Sequence, residues 1–209
     1  MSGRNILQGW TSTASPFKHG IELRRSRSNN HSLSADLSRA AARLGSAQFL
    51  VVKIRESDVS ALSLAVESFH STGSKVRLCF AGDSRVLSQV DSLGLASEVV
   101  GLMADDVGAE TSCSELIWDR IEAVRFEPSF VDRATRDMRI SCALESMLGL
   151  ARDLGLRTFG HFGTEECASV SDRYDFDYLP VPIGMVDTLK SITAPFNSAR
   201  TQATVTAGR

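Results

Sequence analysis

Two adjacent carboxylates, Asp105 and Asp106, follow directly after the apolar run EVVGLMA at 98–104. Carboxylate pairs in such a place are typical of divalent-cation sites, because magnesium and manganese prefer hard oxygen ligands. A second apolar run carries Arg125 and ends at Glu127. Whether further oxygen ligands converge on the aspartate pair decides between a metal-dependent enzyme and a former enzyme put to another use.

Seven short apolar runs, bounded by glycine, serine, aspartate or proline, are predicted to be β-strands. They lie at 20–23, 48–54, 75–81, 98–104, 123–127, 156–162 and 177–183. Because they alternate with helical patterns, they indicate an α/β fold with a parallel sheet, either an open doubly wound sheet or a (β/α) barrel. The glycine-rich dinucleotide fingerprint and the P-loop are both absent from the sequence, which disfavours a nucleotide-binding doubly wound fold.

In a (β/α) barrel, the carboxyl ends of the strands form the functional face. Four residues with chemically useful side chains are at or near such predicted ends: Asp105, Asp106, Glu127 and His161. A barrel would therefore bring these side chains to the same end of the molecule.

Amphipathic segments predict helices at 34–45, 57–73 and 133–155, each ending at a glycine, which is a common helix stop. The third segment is predicted to be a single long helix. Its apolar stripe is expected to pack into the core and consists of Met138, Cys142, Met147, Ala151 and Leu154.

The composition is that of an ordinary globular domain, with 209 residues, 43% of them hydrophobic and 23% charged. We expect one domain over 1–193 and a flexible tail over 194–209. The net charge of −2 argues against nucleic acid or an anionic membrane as the main partner. No apolar run approaches the roughly 18 residues of a membrane-spanning helix, and the N-terminus has no apolar segment typical of a secretory signal.

The four cysteines, Cys79, Cys113, Cys142 and Cys167, show neither a CxxC pair nor a Cys–His spacing suited to zinc. We expect them to be reduced and mostly buried thiols in a cytoplasmic protein. The two tryptophans, Trp10 and Trp118, are expected in core or interface packing rather than as a ligand platform.

Three ordered motifs resemble the EAL-domain family, bacterial phosphodiesterases that hydrolyse the second messenger cyclic di-GMP. ADDVGAETSCSELIWDRIEAVRFEPSFV at 104–131 is similar to that family's DDFGTGYSSL segment and its KIDRSFV strand. LARDLGLRTFGHFGTEE at 150–166 resembles the unit A-x-x-LGL-x-V-x-A-EGVET-x-E, and YDFDYLPVPIG at 174–184 resembles the ending DYLQGYLFGRP. The resemblance implies a (β/α) barrel of the EAL type, shortened or irregular at the N-terminal side.

The N-terminal half resembles the family more loosely. HGIELRR, with Glu22, is similar to the strand G-V-EAL-x-R that names the family. FLVVKIRES, with Lys53, takes the place of the strand ending in VNLS, and VRLCFAGDS takes the place of the strand ending in ITES.

Active members of the family hold two divalent cations that activate water and stabilise charge on the phosphodiester. The resemblance implies that Glu22 and Asp105 are retained ligands, with Asp106 beside them. In the N-terminal half, Lys53 replaces an asparagine of the family, and Gly82 or Ala81 replaces a glutamate. In the KID motif, Arg125 replaces the lysine and Glu127 replaces the aspartate. Further on, His161 lies in the segment that matches EGVE, and Pro180 replaces a glutamine. A lysine among so few oxygen donors opposes cation binding. We therefore expect no catalytic residue, no metal and no cofactor, and regard these as vestigial positions.

The aspartate pair has alternative roles. One is weak binding of a single metal ion; the other is capping of the next helix or ion pairing with Lys53 and Arg125 across the barrel mouth. His161 is either a general base or ligand, or a hydrogen-bonded structural group. Arg24 and Arg25 either bind phosphate or an acidic protein face, or are simply solvated.

These features predict a catalytically inactive EAL-like signalling protein that acts through an unidentified protein partner, with a homodimer as a further option. The alternative is a cyclic di-GMP receptor that does not hydrolyse its ligand and in which Arg24 and Arg25 meet the phosphates. Residual phosphodiesterase activity, and an unrelated α/β-barrel enzyme, are the remaining hypotheses.

Overall fold

The computed structural model describes residues 6–12, 19–24, 32–41, 49–74, 76–108, 110–111, 116–160, 170 and 173–181. Eight strands lie in this part of the chain: β1 Ile6–Ser12, β2 His19–Arg24, β3 Phe49–Lys53, β4 Arg77–Gly82, β5 Val100–Val107, β6 Ile121–Phe126, β7 Arg157–Phe159 and β8 Tyr178–Val181. Its α-helices are α1 Leu33–Ala41, α2 Leu62–Ser71, α3 Ser84–Ser92, α4 Pro128–Arg136 and α5 Met138–Asp153, and a 3₁₀ helix, Glu56–Ala61, precedes α2.

The strands form a closed barrel in the order β1 to β8. Strands β2 to β8 are parallel, whereas β1 runs antiparallel to both of its neighbours, β2 and β8. The predicted (β/α) barrel is thus confirmed, and each predicted strand corresponds to one of β2 to β8. The N-terminal side is irregular as expected, because β1 enters the barrel in the reverse direction.

Alternating side chains divide the apolar residues into an interior layer and an outer layer. The interior layer consists of Trp10, Phe49, Val51, Ala81, Met103, Ala123, Phe159 and Tyr178. Their rings pack closely, with Phe159 stacked on Tyr178 at a centroid distance of 4.6 Å and Trp10 edge-on to Phe159 at 5.2 Å. The barrel interior below the strand ends is therefore filled by closely packed side chains. Trp10 is one of them and lies in the core, as predicted.

The outer layer lies between the barrel and the helices. It includes Leu50 and Val52 of β3, whose side chains alternate with those of the interior layer. Helix α2 contributes Leu62, Ala65, Val66 and Phe69 and ends before Gly73, whose φ of 75° is readily adopted by glycine. Trp118 packs partly buried against this layer, in agreement with its predicted place in core or interface packing.

The single long helix predicted over 133–155 is wrong. The chain breaks at Asp137, which is extended (φ −124°, ψ 117°) and accepts hydrogen bonds from the backbone N–H groups of Arg139 and Ile140, so that it caps a new helix. The break separates α4 from α5, and α5 ends before Gly155 (φ 72°), the predicted stop.

The predicted core stripe on this segment is also only partly right. Met138 is 80% and Leu154 41% exposed, Cys142 is exposed, Met147 is half-buried, and only Ala151 is fully buried. The buried face of α5 consists instead of Ser141, Leu144, Leu148 and Ala151. The stripe was wrong because apolar side chains lie on both faces of this helix, and the face that meets the barrel follows the i, i+3, i+7 spacing from Ser141 to Leu148.

The remaining predictions on the fold have mixed outcomes. Cys79 and Cys142 are free thiols; Cys79 packs half-buried against the interior layer, whereas Cys142 is exposed, so the prediction of a buried thiol is wrong for Cys142. Cys113, Cys167 and the predicted tail at 194–209 lie outside the described residues, and the single-domain boundary stays a prediction. The helices of the described residues are each too short or too polar to span a membrane.

Candidate functional site

Four strands direct charged side chains to the inside of the barrel at its carboxyl end. Glu22 on β2, Lys53 at the end of β3, Asp105 on β5 and Arg125 on β6 each lie above the apolar interior layer, at positions that alternate with outward-facing residues. The carboxyl ends of parallel strands meet at one mouth of a barrel. Residues more than a hundred positions apart in sequence are thereby brought into contact.

A bulge in β5 brings both aspartates to this mouth. In a regular strand, adjacent side chains point to opposite faces, so Asp105 and Asp106 would diverge. Asp106, however, has a φ of 56°, and the pairing of β5 with β6 shifts register between Ala104 and Val107. This left-handed residue rotates the chain, so that both carboxylates reach the ammonium group of Lys53.

Five side chains form a connected ion cluster, namely Glu22, Lys53, Asp105, Asp106 and Arg125. The guanidinium group of Arg125 donates from Nη1 to Oε1 of Glu22 at 2.6 Å and from Nε to Oδ1 of Asp105 at 2.5 Å. The Nζ of Lys53 lies 2.9 Å from Oδ2 of Asp105 and 2.6 Å from Oδ2 of Asp106. The predicted pairing of the aspartates with Lys53 and Arg125 is therefore confirmed.

Burial differs sharply within the ion cluster. Glu22 is fully buried, Arg125 is 2% exposed and Asp105 is 9% exposed, whereas the side chains of Lys53 and Asp106 are 44% and 56% exposed. Glu22, Asp105 and Arg125 therefore form an inner triad in a low-dielectric environment, where charge pairing matters most. Lys53 and Asp106 cover this triad at the solvent side.

The environment holds these groups in their charged forms. Burial alone would raise the pKa of Asp105, but the hydrogen bond and charge of Arg125, together with Lys53, outweigh it and lower the pKa to about 2. Burial opposes the charged form of Lys53 as well, yet the nearby Asp105 and Asp106 raise its pKa above the ordinary value. Arg125 is likewise buried, and Glu22 and Asp105 raise its pKa. The carboxylates and their cations thus stabilise each other.

Glu127 does not join the ion cluster. It follows β6, its Oε1 accepts a hydrogen bond from Ser129 Oγ at 2.6 Å, and it lines an open cavity of about 360 Å³ next to Asp106. Glu110 and Arg133 line the same cavity. The barrel mouth therefore continues into a small polar depression on the side of β5 and β6.

The other predicted site residues have separate places. Ala81 faces the barrel interior, whereas a side chain at Gly82 would meet Val86 and Ile54 in the outer layer, so the inward position on β4 carries only a methyl group. Pro180 is buried on β8 beside Trp10 and brings no side-chain oxygen.

Three predicted site residues fall wholly or partly outside the described part of the chain. Arg24 ends β2, but its side chain lies outside the described residues, as do Arg25 and His161 entirely. Their predicted roles stay predictions.

A pair of divalent cations does not fit the described residues of this mouth. The three carboxylates of the ion cluster are already engaged by two side-chain cations, and the inward residue on β4 offers no ligand. Within the described residues, no group of three or more histidine, cysteine, aspartate or glutamate side chains is arranged to hold a metal ion. Two-metal chemistry needs several oxygen donors around each ion, and here ammonium and guanidinium nitrogens stand between them.

The sequence did not reveal two features of this site. The bridge from Arg125 to Glu22 links residues on β6 and β2, and no local pattern indicates that they meet. The burial of Glu22 alone could have been predicted, because its side chain alternates along β2 with those of Ile21 and Leu23, which face outward, so that Glu22 faces the barrel interior. The bulge at Asp106 has no comparable sign in the sequence.

Comparison with known proteins gives matches at the level of structure. No model of a protein family matches the sequence, and no curated protein matches it either. Solved EAL-domain structures match most of the chain. The FimX EAL domain from Pseudomonas aeruginosa, bound to c-di-GMP, has a TM-score of 0.64 at 14% identity, covering 85% of this chain and 87% of that one.

Two further EAL structures match to a similar degree. The EAL domain of Mycobacterium smegmatis DcpA has a TM-score of 0.60 at 15% identity, covering 90% of this chain and 98% of that one. The cAMP-bound EAL enzyme Bd1971 has a TM-score of 0.60 at 16% identity and 90% coverage of this chain, which spans 65% of the length of Bd1971. At such low identity the likeness establishes the fold: this chain has the (β/α) barrel of an EAL domain.

Proposed function

We propose that this EAL-type barrel is a signalling protein that does not hydrolyse cyclic di-GMP and that acts by contact with another protein. In this proposal it works in the bacterial cytoplasm, where Cys79 and Cys142 would stay reduced. The barrel serves as a rigid scaffold, and its former catalytic mouth no longer takes part in chemistry.

The observation that carries the proposal is the ion cluster. Hydrolysis of a phosphodiester by two metals requires hydroxide generation at one ion and charge stabilisation by both. In this chain Lys53 and Arg125 lie among the carboxylates instead, within 2.5 to 2.9 Å of them. Neither cation can lower the pKa of a water molecule as a bound divalent ion does, and each repels such an ion.

The charge of the ion cluster argues in the same direction. Three carboxylates against two cations leave a formal charge of −1, so the ion cluster without metal offers little attraction to a phosphodiester. A protein partner needs no such site, because it can bind any outer face of the barrel. We therefore assign the contact with a protein partner to the outer surface of the barrel.

Incubation of the purified chain with cyclic di-GMP and manganese, followed by chromatography for the linear dinucleotide, tests the loss of hydrolysis. We expect no linear product above the rate without protein. An active EAL phosphodiesterase in parallel confirms that the assay detects turnover. Manganese-dependent turnover by this chain that disappears in Asp105→Asn would overturn the proposal.

Contact with a protein is tested by copurification from the native cytoplasm, followed by calorimetry of the two purified chains. We expect saturable binding of one defined protein. Sedimentation of the chain alone shows whether a second copy is that partner. If neither a heterologous partner nor a second copy binds with measurable heat, the proposed mode of action is wrong.

A second candidate is a receptor that binds cyclic di-GMP without cleaving it. It is favoured by the likeness of the barrel to the FimX EAL domain, which was solved bound to c-di-GMP. In this case Arg24 and Arg25, at and after the end of β2, would meet the phosphates. Calorimetric titration without metal separates the candidates, because heat that disappears in an Arg24→Ala, Arg25→Ala variant indicates a receptor. If no heat is measured at any concentration of cyclic di-GMP, the candidate that remains is the signalling protein that acts by contact with another protein.

A further inference from the structure

The ammonium group of Lys53 lies between the carboxylates of Asp105 and Asp106. We propose that the ammonium group of Lys53 occupies the point where the carboxylates of Asp105 and Asp106 would otherwise hold a divalent cation, so that removal of this side chain creates a cation site. The proposal deepens the non-hydrolytic part of the proposed function and rests on it. It does not depend on any partner or on cyclic di-GMP.

Two carboxylate oxygen atoms converge on the ammonium group of Lys53. Oδ2 of Asp105 and Oδ2 of Asp106 come from adjacent residues, yet both lie within 3 Å of the same nitrogen. The bulge at Asp106 makes this possible, because it turns both carboxylates to the same side of β5. Two carboxylate oxygens that converge on one point with room for solvent are a minimal site for magnesium or manganese, which commonly keep several waters.

Asp105 is a buried carboxylate whose two oxygen atoms have different partners. Its side chain is 2% exposed, and its Oδ1 accepts hydrogen bonds from Arg125 Nε and from the backbone N–H of Asp106. Its Oδ2 is buried and accepts no hydrogen bond of good geometry from the described residues, although Nζ of Lys53 lies 2.9 Å away. The charge of Lys53 is therefore what compensates this oxygen, and without Lys53 the oxygen requires another cation.

The neighbours of Lys53 limit the site to one ion. Arg125 binds Asp105 and Glu22 through contacts that do not involve Lys53, so we expect its buried charge to oppose a cation on that side in a variant without Lys53. Ala81, which pairs with Lys53 in the sheet, adds no ligand. We therefore expect a single cation held by Asp105, Asp106 and water, and no restored two-metal centre.

Lys53→Met tests the proposal, because methionine removes the charge and, being one atom shorter than lysine, leaves the position of the ammonium nitrogen open. Manganese is titrated into the full-length variant and into the wild type, with heat and thermal midpoint as readouts. We expect one manganese per chain in the variant, bound at least about tenfold more tightly than by the wild type, and a thermal midpoint that rises with manganese concentration.

Three control variants assign the site. Lys53→Arg keeps the positive charge and is expected to behave as the wild type. Arg85→Met frees the exposed carboxylate of Glu56 in the same way, at an unrelated surface ion pair, and should gain no manganese binding. The addition of Asp106→Asn to Lys53→Met should abolish the gained binding, because it removes one of the two converging carboxylates.

Every outcome decides the proposal. Equal manganese affinity of wild type and Lys53→Met overturns it, as does equal binding by Lys53→Arg and Lys53→Met. If Lys53→Met does not fold alone, recovery of its folded circular dichroism spectrum by manganese supports the proposal, and failure of manganese to recover it overturns the proposal. Turnover of cyclic di-GMP by the wild type would instead refute the proposed function, and the two failures are therefore distinguishable.

Discussion

Arg125 on β6 donates a hydrogen bond from Nη1 to Oε1 of Glu22 on β2, at 2.6 Å, across the interior of the barrel. Both side chains are buried, with 3% and 0% exposure. The same guanidinium group also binds Asp105, so that one planar cation compensates two buried carboxylates on different strands. Arginine suits this role because its donors form a rigid, permanently charged fork.

Replacement of Arg125 by methionine is expected to lower the free energy of unfolding by about 3–5 kcal/mol, because Glu22 and Asp105 would remain buried without their shared cation. Urea unfolding followed by circular dichroism measures this change. The matched control is Arg85→Met, which removes the 3.0 Å ion pair with Glu56 between two exposed side chains. It should cost no more than about 1 kcal/mol. Equal losses in both variants would contradict the view that burial makes Arg125 important.

Asp105 gives the stability a defined dependence on acid pH. Its pKa is about 2 in the folded protein and near its ordinary value of 3.8 when unfolded. A carboxyl group with a lowered folded pKa contributes stability fully above the unfolded pKa, and this contribution disappears as pH falls through the folded pKa. The contribution is about 2 kcal/mol, lost between roughly pH 4 and pH 2.

The measurement compares urea midpoints of the wild type and Asp105→Asn at a series of pH values. Asparagine cannot ionise, so the stability difference between the two proteins should shrink as pH falls from 4 toward 2. The other carboxyl groups titrate in both proteins and cancel in this difference, provided that they lie outside the ion cluster. A difference that stays constant over this range would show that Asp105 is not held ionised by Arg125 and Lys53.

The sequence predicted the barrel better than its details. The seven parallel strands were found because runs such as FLVVK are apolar on both faces of a buried sheet, which is a local property. Strand β1, ILQGWTS, was not predicted, since Gln8, Gly9 and Ser12 give it no clear apolar period and its place depends on antiparallel pairing with β2 and β8. Helix α3 was also not predicted, although Asp83 accepts a hydrogen bond from Val86 N and was a readable N-cap.

The candidate site was predictable as far as the resemblance to a known family extended. Placing Lys53 and Arg125 beside the aspartates followed from matched motifs, and the ion pairs confirm it. The contact of Arg125 with Glu22 joins positions 103 residues apart, and the positive φ of Asp106 belongs to a bulge that depends on the pairing of β5 with β6. Neither property is encoded in a local pattern, so neither could be deduced before the structure.

Asp137 is expected to hold the start of α5. Its carboxylate accepts hydrogen bonds from the N–H groups of Arg139 and Ile140, at 2.8 and 3.4 Å. Asp137→Ala should therefore lower the free energy of unfolding by about 1 kcal/mol. Asp153→Ala is the control, because an aspartate in the last turn opposes the helix dipole and its removal should be neutral or slightly stabilising. A thermal midpoint unchanged in both variants would mean that the break between α4 and α5 is set by packing alone.

Gly20 permits the tight packing at the base of the barrel interior. A Cβ atom at this position would overlap the ring of Phe49, and that ring is held edge-on against Tyr178 at 5.1 Å and Phe159 at 5.9 Å. Gly20→Ala should therefore lower the free energy of unfolding by about 1–3 kcal/mol through overpacking.

Gly149→Ala is the control. It lies on α5, with no neighbouring atom within 4 Å of the added methyl group, and should instead raise the free energy of unfolding by up to about 1 kcal/mol, because alanine is the better helix former. Chemical unfolding of both variants under the same conditions measures these opposite changes. A Gly20→Ala protein as stable as the wild type would show that the aromatic layer can shift to admit a methyl group, and that the barrel interior is less tightly packed than its ring contacts indicate.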